Sequence, residues 1–164
     1  MELTVYVVDA FTQSQFKGNS AAVIITSTWL DDVLMQRIAM EHNLSETAFV
    51  VEQDGVYHIR WFSPLAEVAF CGHASLASAF ILFQQFPDTE SLTFFAQAVG
   101  EFIVQRQGEL IEMDFPNREP ELLDHIPEPL QKGLSIEPQH VLRNQQAYFA
   151  VYSSPEQVAY STPR

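Results

Sequence analysis

Apolar and polar residues follow each other in short alternating runs over the first sixty positions, and most of these runs predict strands. Leu3 to Val8 alternates and is rich in β-branched and aromatic residues, which predicts a strand left through Asp9-Ala10-Phe11-Thr12. Gly18-Asn19-Ser20 is a turn signal, and Ala21 to Thr26 follows it as a second strand. Leu30, Val33, Leu34, Ile38 and Ala39 fall near helical spacing behind Asp31-Asp32. An amphipathic helix is therefore expected from about Asp31 to Glu41, with Arg37 toward its end. Thr47 to Val51 predicts a short apolar strand, Asp54-Gly55 a hairpin turn, and Val56 to Phe62 the returning partner, so Glu46 stands at a strand entrance.

The segment from Ala74 to Phe86 breaks this rhythm. Ala74, Leu76, Ala77, Ala79, Phe80, Ile81, Leu82, Phe83 and Phe86 would cover every face of a helix, which predicts a helix buried on all sides, Phe80 included. A buried helix in a β-rich chain implies an α+β domain whose mostly antiparallel sheet curls around it. Gly72-His73 then lies at the helix N-terminus, where unpaired N–H groups and partial positive charge favour an anion such as a carboxylate. Further strands are expected over Ser91 to Phe95, Gly100 to Gln107 and Glu109 to Phe115, the last two joined at Gly108. Pro116 to Pro138 reads as a surface connection with one short helix at Glu128 to Lys132, and Val141-Leu142 and Ala147 to Tyr152 as final strands.

Composition narrows the function classes. The chain has 164 residues, 47% of them hydrophobic and 18% charged, which fits one globular domain, and no apolar run reaches the length of a membrane span. With 21 acidic against 8 basic residues, the formal charge of −13 would repel a phosphate backbone, so nucleic acid is not an expected partner. Met1-Glu2-Leu3-Thr4 does not resemble a secretory signal, and Cys71, the one cysteine, cannot form an internal disulfide, so a cytoplasmic location is expected.

Three side chains carry candidate chemistry. Glu46, beside Ser45 and Thr47, could be a surface or capping residue or a proton-transfer group. His73 at a helix start could cap, bind an anion or transfer a proton. Cys71 could be a small buried hydrophobe or a nucleophile. His42, His58 and His73 lack the close ligand spacing of common metal motifs, and no glycine-rich phosphate loop is present, so neither a metal nor a nucleotide cofactor is expected.

Four stretches, taken in order, resemble the phenazine-biosynthesis PhzF-like family: Val8-Asp9-Ala10-Phe11-Thr12, Gly18-Asn19-Ser20-Ala21-Ala22-Val23, Asn43-Leu44-Ser45-Glu46-Thr47-Ala48-Phe49, and Arg60-Trp61-Phe62-Ser63-Pro64 with Glu67-Val68 and Cys71-Gly72-His73-Ala74. Ser20 and Ala69 depart from the family pattern. The resemblance implies the diaminopimelate-epimerase-like fold, in which two similar domains each wrap a sheet around a central helix with the active site between them. It covers the first of these domains, over 1–152; residues 153–164 look like the start of the inter-domain connection, and nothing matches the second domain.

The resemblance implies that Glu46 is the proton-transfer residue of a cofactor-independent biosynthetic isomerase acting on a small carboxylic acid. It further implies that Gly72 and His73 bind that acid, with Cys71 lining the site. A truncated half-domain serving as a binding or assembly module is the alternative. Because a missing sister domain would leave an apolar face uncovered, a homodimer is the expected assembly.

Overall fold

The protein is described here by a computed structural model covering residues 1–163. It divides into two compact units, residues 1–115 and the residues from Pro116 onward. The first contains β1 (Tyr6–Ala10), β2 (Asn19–Thr26), α1 (Asp32–His42), β3 (Glu46–Gln53), β4 (Val56–Phe62), β5 (Glu67–Val68), α2 (Gly72–Gln85), β6 (Ser91–Ala96), β7 (Gly100–Gln107) and β8 (Leu110–Met113). Its strands form one sheet in the order β1-β2-β3-β4-β6-β7-β8, with β5 paired to the end of β4. Only β2 with β3 and β4 with β6 are parallel, and α1 and α2 lie in the respective connections. The remaining pairs are antiparallel.

The sheet curls because α2 touches it from both ends. This helix packs on β1, β2 and β3 near one edge and on β8 at the other. Alternate residues of the central strands meet it: Val23, Ala48, Val50, Trp61, Phe94 and Phe102 share a buried core with Leu82 and Phe83. Residues of opposite parity, Ile24, Phe49 and Phe62, pack with Met35 and Ala39 of α1 on the outer face. Two polar residues on α2, Ser75 and Ser78, are fully buried and donate to the carbonyls of Cys71 and Ala74 at 2.8 and 2.7 Å, so burying them leaves no hydroxyl unpaired.

The fold is α+β with a mostly antiparallel sheet curled around a central helix, as the apolar pattern of residues 74–86 implied. The expectation that this helix is covered on every side needs correction. Phe80 is 42% exposed and Phe86 is also exposed. For Phe80 the reason is that β1 and β8 end the strand order without pairing to each other, which leaves a groove of about 580 Å³ lined by Val8, Leu76, Ala77, Phe80, Leu110 and Met113, whereas Phe86 is the C-cap past the last turn of α2.

The first strand is also displaced from the expected Leu3 to Val8. It runs to Ala10, because Asp9 and Ala10 stay in register with Ser20 and Asn19 of β2. Asp31 is the N-cap of α1 rather than its first residue, its carboxylate accepting from the Val33 N–H at 3.0 Å.

The second unit holds β9 (Glu121–Leu122), α3 (Glu128–Gly133), β10 (His140–Arg143), β11 (Tyr148–Val151) and α4 (Pro155–Tyr160), with the strands in the antiparallel order β11-β10-β9. Both β9 and α4 arise where the sequence pattern predicts no element. Helix α4 begins with Ser154 as N-cap and Pro155 at the first turn, a short local signal inside an otherwise polar stretch.

Candidate active site

Parallel pairing of β2 with β3 sets the site. Ala21 lies opposite Glu46, so the residues that enter the two strands, Asn19-Ser20 and Ser45-Glu46, stand side by side at one end of the sheet. Asn43 prepares this arrangement. It ends α1 in the left-handed conformation (φ 50°), its N–H donating to the Ala39 carbonyl at 3.1 Å, and the chain turns directly into Ser45. Helix α2 begins at the same end, and there the N-terminal turn meets the strand entrance.

Glu46 Oε2 lies 3.3 Å from His73 Nε2, and both side chains are largely shielded, at 20% and 10% exposure. Ser45 Oγ is 3.3 Å from the same His73 nitrogen. The Ser45 hydroxyl also has two oxygen acceptors within reach, Asn19 Oδ1 at 3.1 Å and the Ser20 carbonyl at 3.2 Å. On the other side of the imidazole, Nδ1 is 3.3 Å from Cys71 Sγ. Cys71 is buried, and that burial pushes its thiol up to about 12, with the nearby Glu46 carboxylate acting in the same direction. At neutral pH it is therefore a thiol and not a thiolate nucleophile.

Gly72 opens α2, and no side chain caps this helix. A Cβ added there would find only Phe70 Cζ, at an ordinary 3.9 Å. Internal packing does not require glycine at this position. What its absent side chain provides is open space in front of the helix N-terminus.

The four residues singled out from the sequence, Glu46, Cys71, Gly72 and His73, thus come together. One ligand atom from each of Glu46, Cys71 and His73 lies within 4.8 Å of the others, a set of residue types that could hold a metal ion. Hydrogen bonding between the thiol, the imidazole and Ser45 accounts for part of the same proximity. Among the described residues no helix is long and apolar enough to cross a membrane.

Sequence reasoning assigned no role to Asp9, Asn19, Ser20 or Ser45, which buttress the cluster. Asp9 accepts from the Ser20 hydroxyl and, at 2.9 Å, from the Phe16 N–H. These two bonds, the hydroxyl first, hold its carboxyl below the usual range. Asp9 thereby ties β2 to the β1–β2 loop, where Phe11 and Phe16 both have positive φ (63° and 64°) and both are exposed. The available signal was the Gly18-Asn19-Ser20 turn, which marks a bend but carries no information about the parallel neighbour.

The chain is similar to known proteins over nearly its whole length. The family model described as phenazine biosynthesis-like protein matches residues 8–158. An uncharacterized isomerase of Pseudomonas aeruginosa is 45% identical over 163 residues, 99% of this chain and 62% of the relative. The crystal structure of a phenazine biosynthesis protein of the PhzF family from Enterococcus faecalis superposes with a TM-score of 0.82 at 40% identity, covering 99% of this chain and 62% of that one. A predicted epimerase of Pseudomonas aeruginosa, 18% identical, has a TM-score of 0.72 over 99% of this chain and 64% of its own, a likeness of fold alone. The chain thus spans a little under two thirds of the length of these relatives.

Proposed function

The chain belongs to the phenazine biosynthesis-like family, and from that premise we propose that it carries the proton-transfer wall of an isomerase for a small carboxylic acid. In this reading Glu46 is the base. Its carboxylate takes a proton from an acidic carbon of the substrate, the C–H electron pair delocalises into the substrate, and the same proton returns from Glu46 to another position. His73, with Nε2 3.3 Å from Glu46 Oε2, orients that carboxylate. The substrate carboxylate lies against the uncapped N-terminus of α2, over Gly72. Only a proton moves, so the step calls for no cofactor.

The observation that carries this reading is the shielded approach of Glu46 to His73 at the head of the central helix. A carboxylate in a merely capping role would accept from backbone N–H groups of its own element, whereas Glu46 begins a strand and faces a separate one. The opposite wall is supplied by further chain or by a second copy, and a homodimer is the assembly we favour. The exposed Phe11, Phe16 and Leu65, in loops adjoining β1, β2 and β4, support a partner covering this end.

The test is solvent exchange. In D₂O the protein is incubated with a panel of small unsaturated, aromatic and hydroxy acids, and deuterium entering carbon is followed by mass spectrometry. Wild type is expected to label at least one acid, and Glu46→Gln to lower the rate by about 10²–10⁴-fold with its fold retained. Labelling that Glu46→Gln leaves unchanged would remove Glu46 from the mechanism.

A further inference from the structure

His73 is approached from both ring nitrogens, and the groups on the two sides are chemically different. Nε2 faces Ser45 Oγ and Glu46 Oε2, each at 3.3 Å. Nδ1 faces Cys71 Sγ at 3.3 Å. The Ser45 hydroxyl hydrogen has acceptors behind it in Asn19 Oδ1 and the Ser20 carbonyl, so its lone pairs turn to Nε2. A bare Nε2 would then oppose the lone pairs of both the hydroxyl and the carboxylate. A hydrogen on Nε2 removes this opposition and gives the Ser45 oxygen, the contact with hydrogen-bonding geometry, its donor.

The thiol completes the pattern from the other side. Cys71 is buried with its Sγ 3.3 Å from Nδ1, so its S–H can donate to a bare Nδ1, the Glu46 carboxylate being the other acceptor near this thiol. We propose that Cys71 is a positioning residue which, together with Ser45, holds His73 as the neutral imidazole protonated on Nε2 and turned toward Glu46. This builds on the reading of Glu46 as the proton-transfer group and refines it. An imidazole whose Nε2 already carries hydrogen cannot take the substrate proton there, so the proton stays on the Glu46 carboxyl between abstraction and return. His73 then serves as a donor and not as a second base.

The tautomer can be read without turnover. The full chain, labelled with ¹⁵N-histidine, is recorded in a two-bond ¹H–¹⁵N correlation spectrum at neutral pH, with His73 assigned by comparison with His73→Gln. Wild type and Cys71→Ser, which retains an O–H donor, are expected to show the Nε2–H pattern. Cys71→Ala, which has no donor, is expected to show a measurable Nδ1–H fraction with its amide spectrum otherwise unchanged. An Nδ1–H pattern in wild type, or a Cys71→Ala spectrum identical to wild type, would overturn the proposal. So would His73 signals that shift when EDTA is added, since the three side chains would then be holding a metal ion. Failure of the deuterium-exchange assay would remove the catalytic reading while leaving the tautomer result standing.

Discussion

Two phenylalanines on α2 differ by three positions in sequence and sharply in surroundings, and replacing each by alanine tests how the sheet wraps the helix. Phe83 is 3% exposed, belongs to the core around the helix, and carries the Arg106 guanidinium 4.7 Å from its ring centroid. Removing a buried Phe costs about 3–5 kcal/mol through lost burial and the cavity left behind. Loss of the cation–π contact adds to this by up to about 1 kcal/mol. Phe80 is 42% exposed over the groove between β1 and β8, so its loss widens a space that is already open and creates no closed cavity. Only part of the transfer term remains, about 1–1.5 kcal/mol on the usual scale for a Phe side chain. Urea unfolding followed by circular dichroism gives both values from the midpoint and slope. Phe83→Ala should therefore be the costlier of the two by about 1.5 kcal/mol or more. Equal costs would mean that the groove is closed in solution and that the edges of the sheet are covered.

Three further outcomes are expected. Because the Cys71 thiol titrates near 12 in the folded protein against an ordinary 9.0, the unfolded chain releases this proton first. The folded state therefore loses stability as pH rises from about 9 toward 12, and Cys71→Ala should flatten that part of the profile, measured by unfolding at each pH. Glu46→Gln keeps the shape of this shielded side chain and should leave the unfolding free energy within about 1 kcal/mol of wild type, so that any lost exchange is chemical in origin. Light scattering at several concentrations should detect a dimer, and a monomer at all of them would remove the homodimer from the proposed assembly.

What could be read from the sequence was what depends on neighbours along the chain. The Asp54-Gly55 hairpin is one case. Both residues have positive φ (51° and 84°), the geometry an Asp-Gly turn favours, and β3 and β4 pair on either side of it from Gln53↔Val56 onward. The strand over Gly100 to Gln107 and the amphipathic α1 were legible for the same reason. The exposure of Phe80 was not, because it depends on whether two strands about a hundred residues apart, β1 and β8, meet. Glu46 and the Cys71-Gly72-His73 stretch are separated by a whole hairpin, so local pattern could suggest each but not their meeting. That step came from the family resemblance. Ser45 and Ser20 were missed because their link runs across a parallel pair, whose register is set by the α1 crossover and not by a turn motif.

Departures from local preference collect at one end of the first unit. Gly72 stands at the head of α2 where packing would accept a side chain, and that helix start has no side-chain cap. Phe11 and Phe16 hold positive φ, a conformation unfavourable for bulky residues, while exposing their rings. A thiol and a carboxylate are drawn toward one imidazole that is only 10% exposed. Each feature is locally costly, and a sequence selected for stability alone would have a cap, a β-carbon and polar loop residues in these places. Much of the rest of the unit is regular, with paired strands, buried serines bonded to helix carbonyls and alternating strand faces divided between α2 and α1, while Thr47 Oγ1 and Trp61 Nε1 are buried without a hydrogen-bond partner. Costs gathered at one end of a scaffold are what the proposed catalytic surface would impose, and that end is the one where Glu46 and His73 meet.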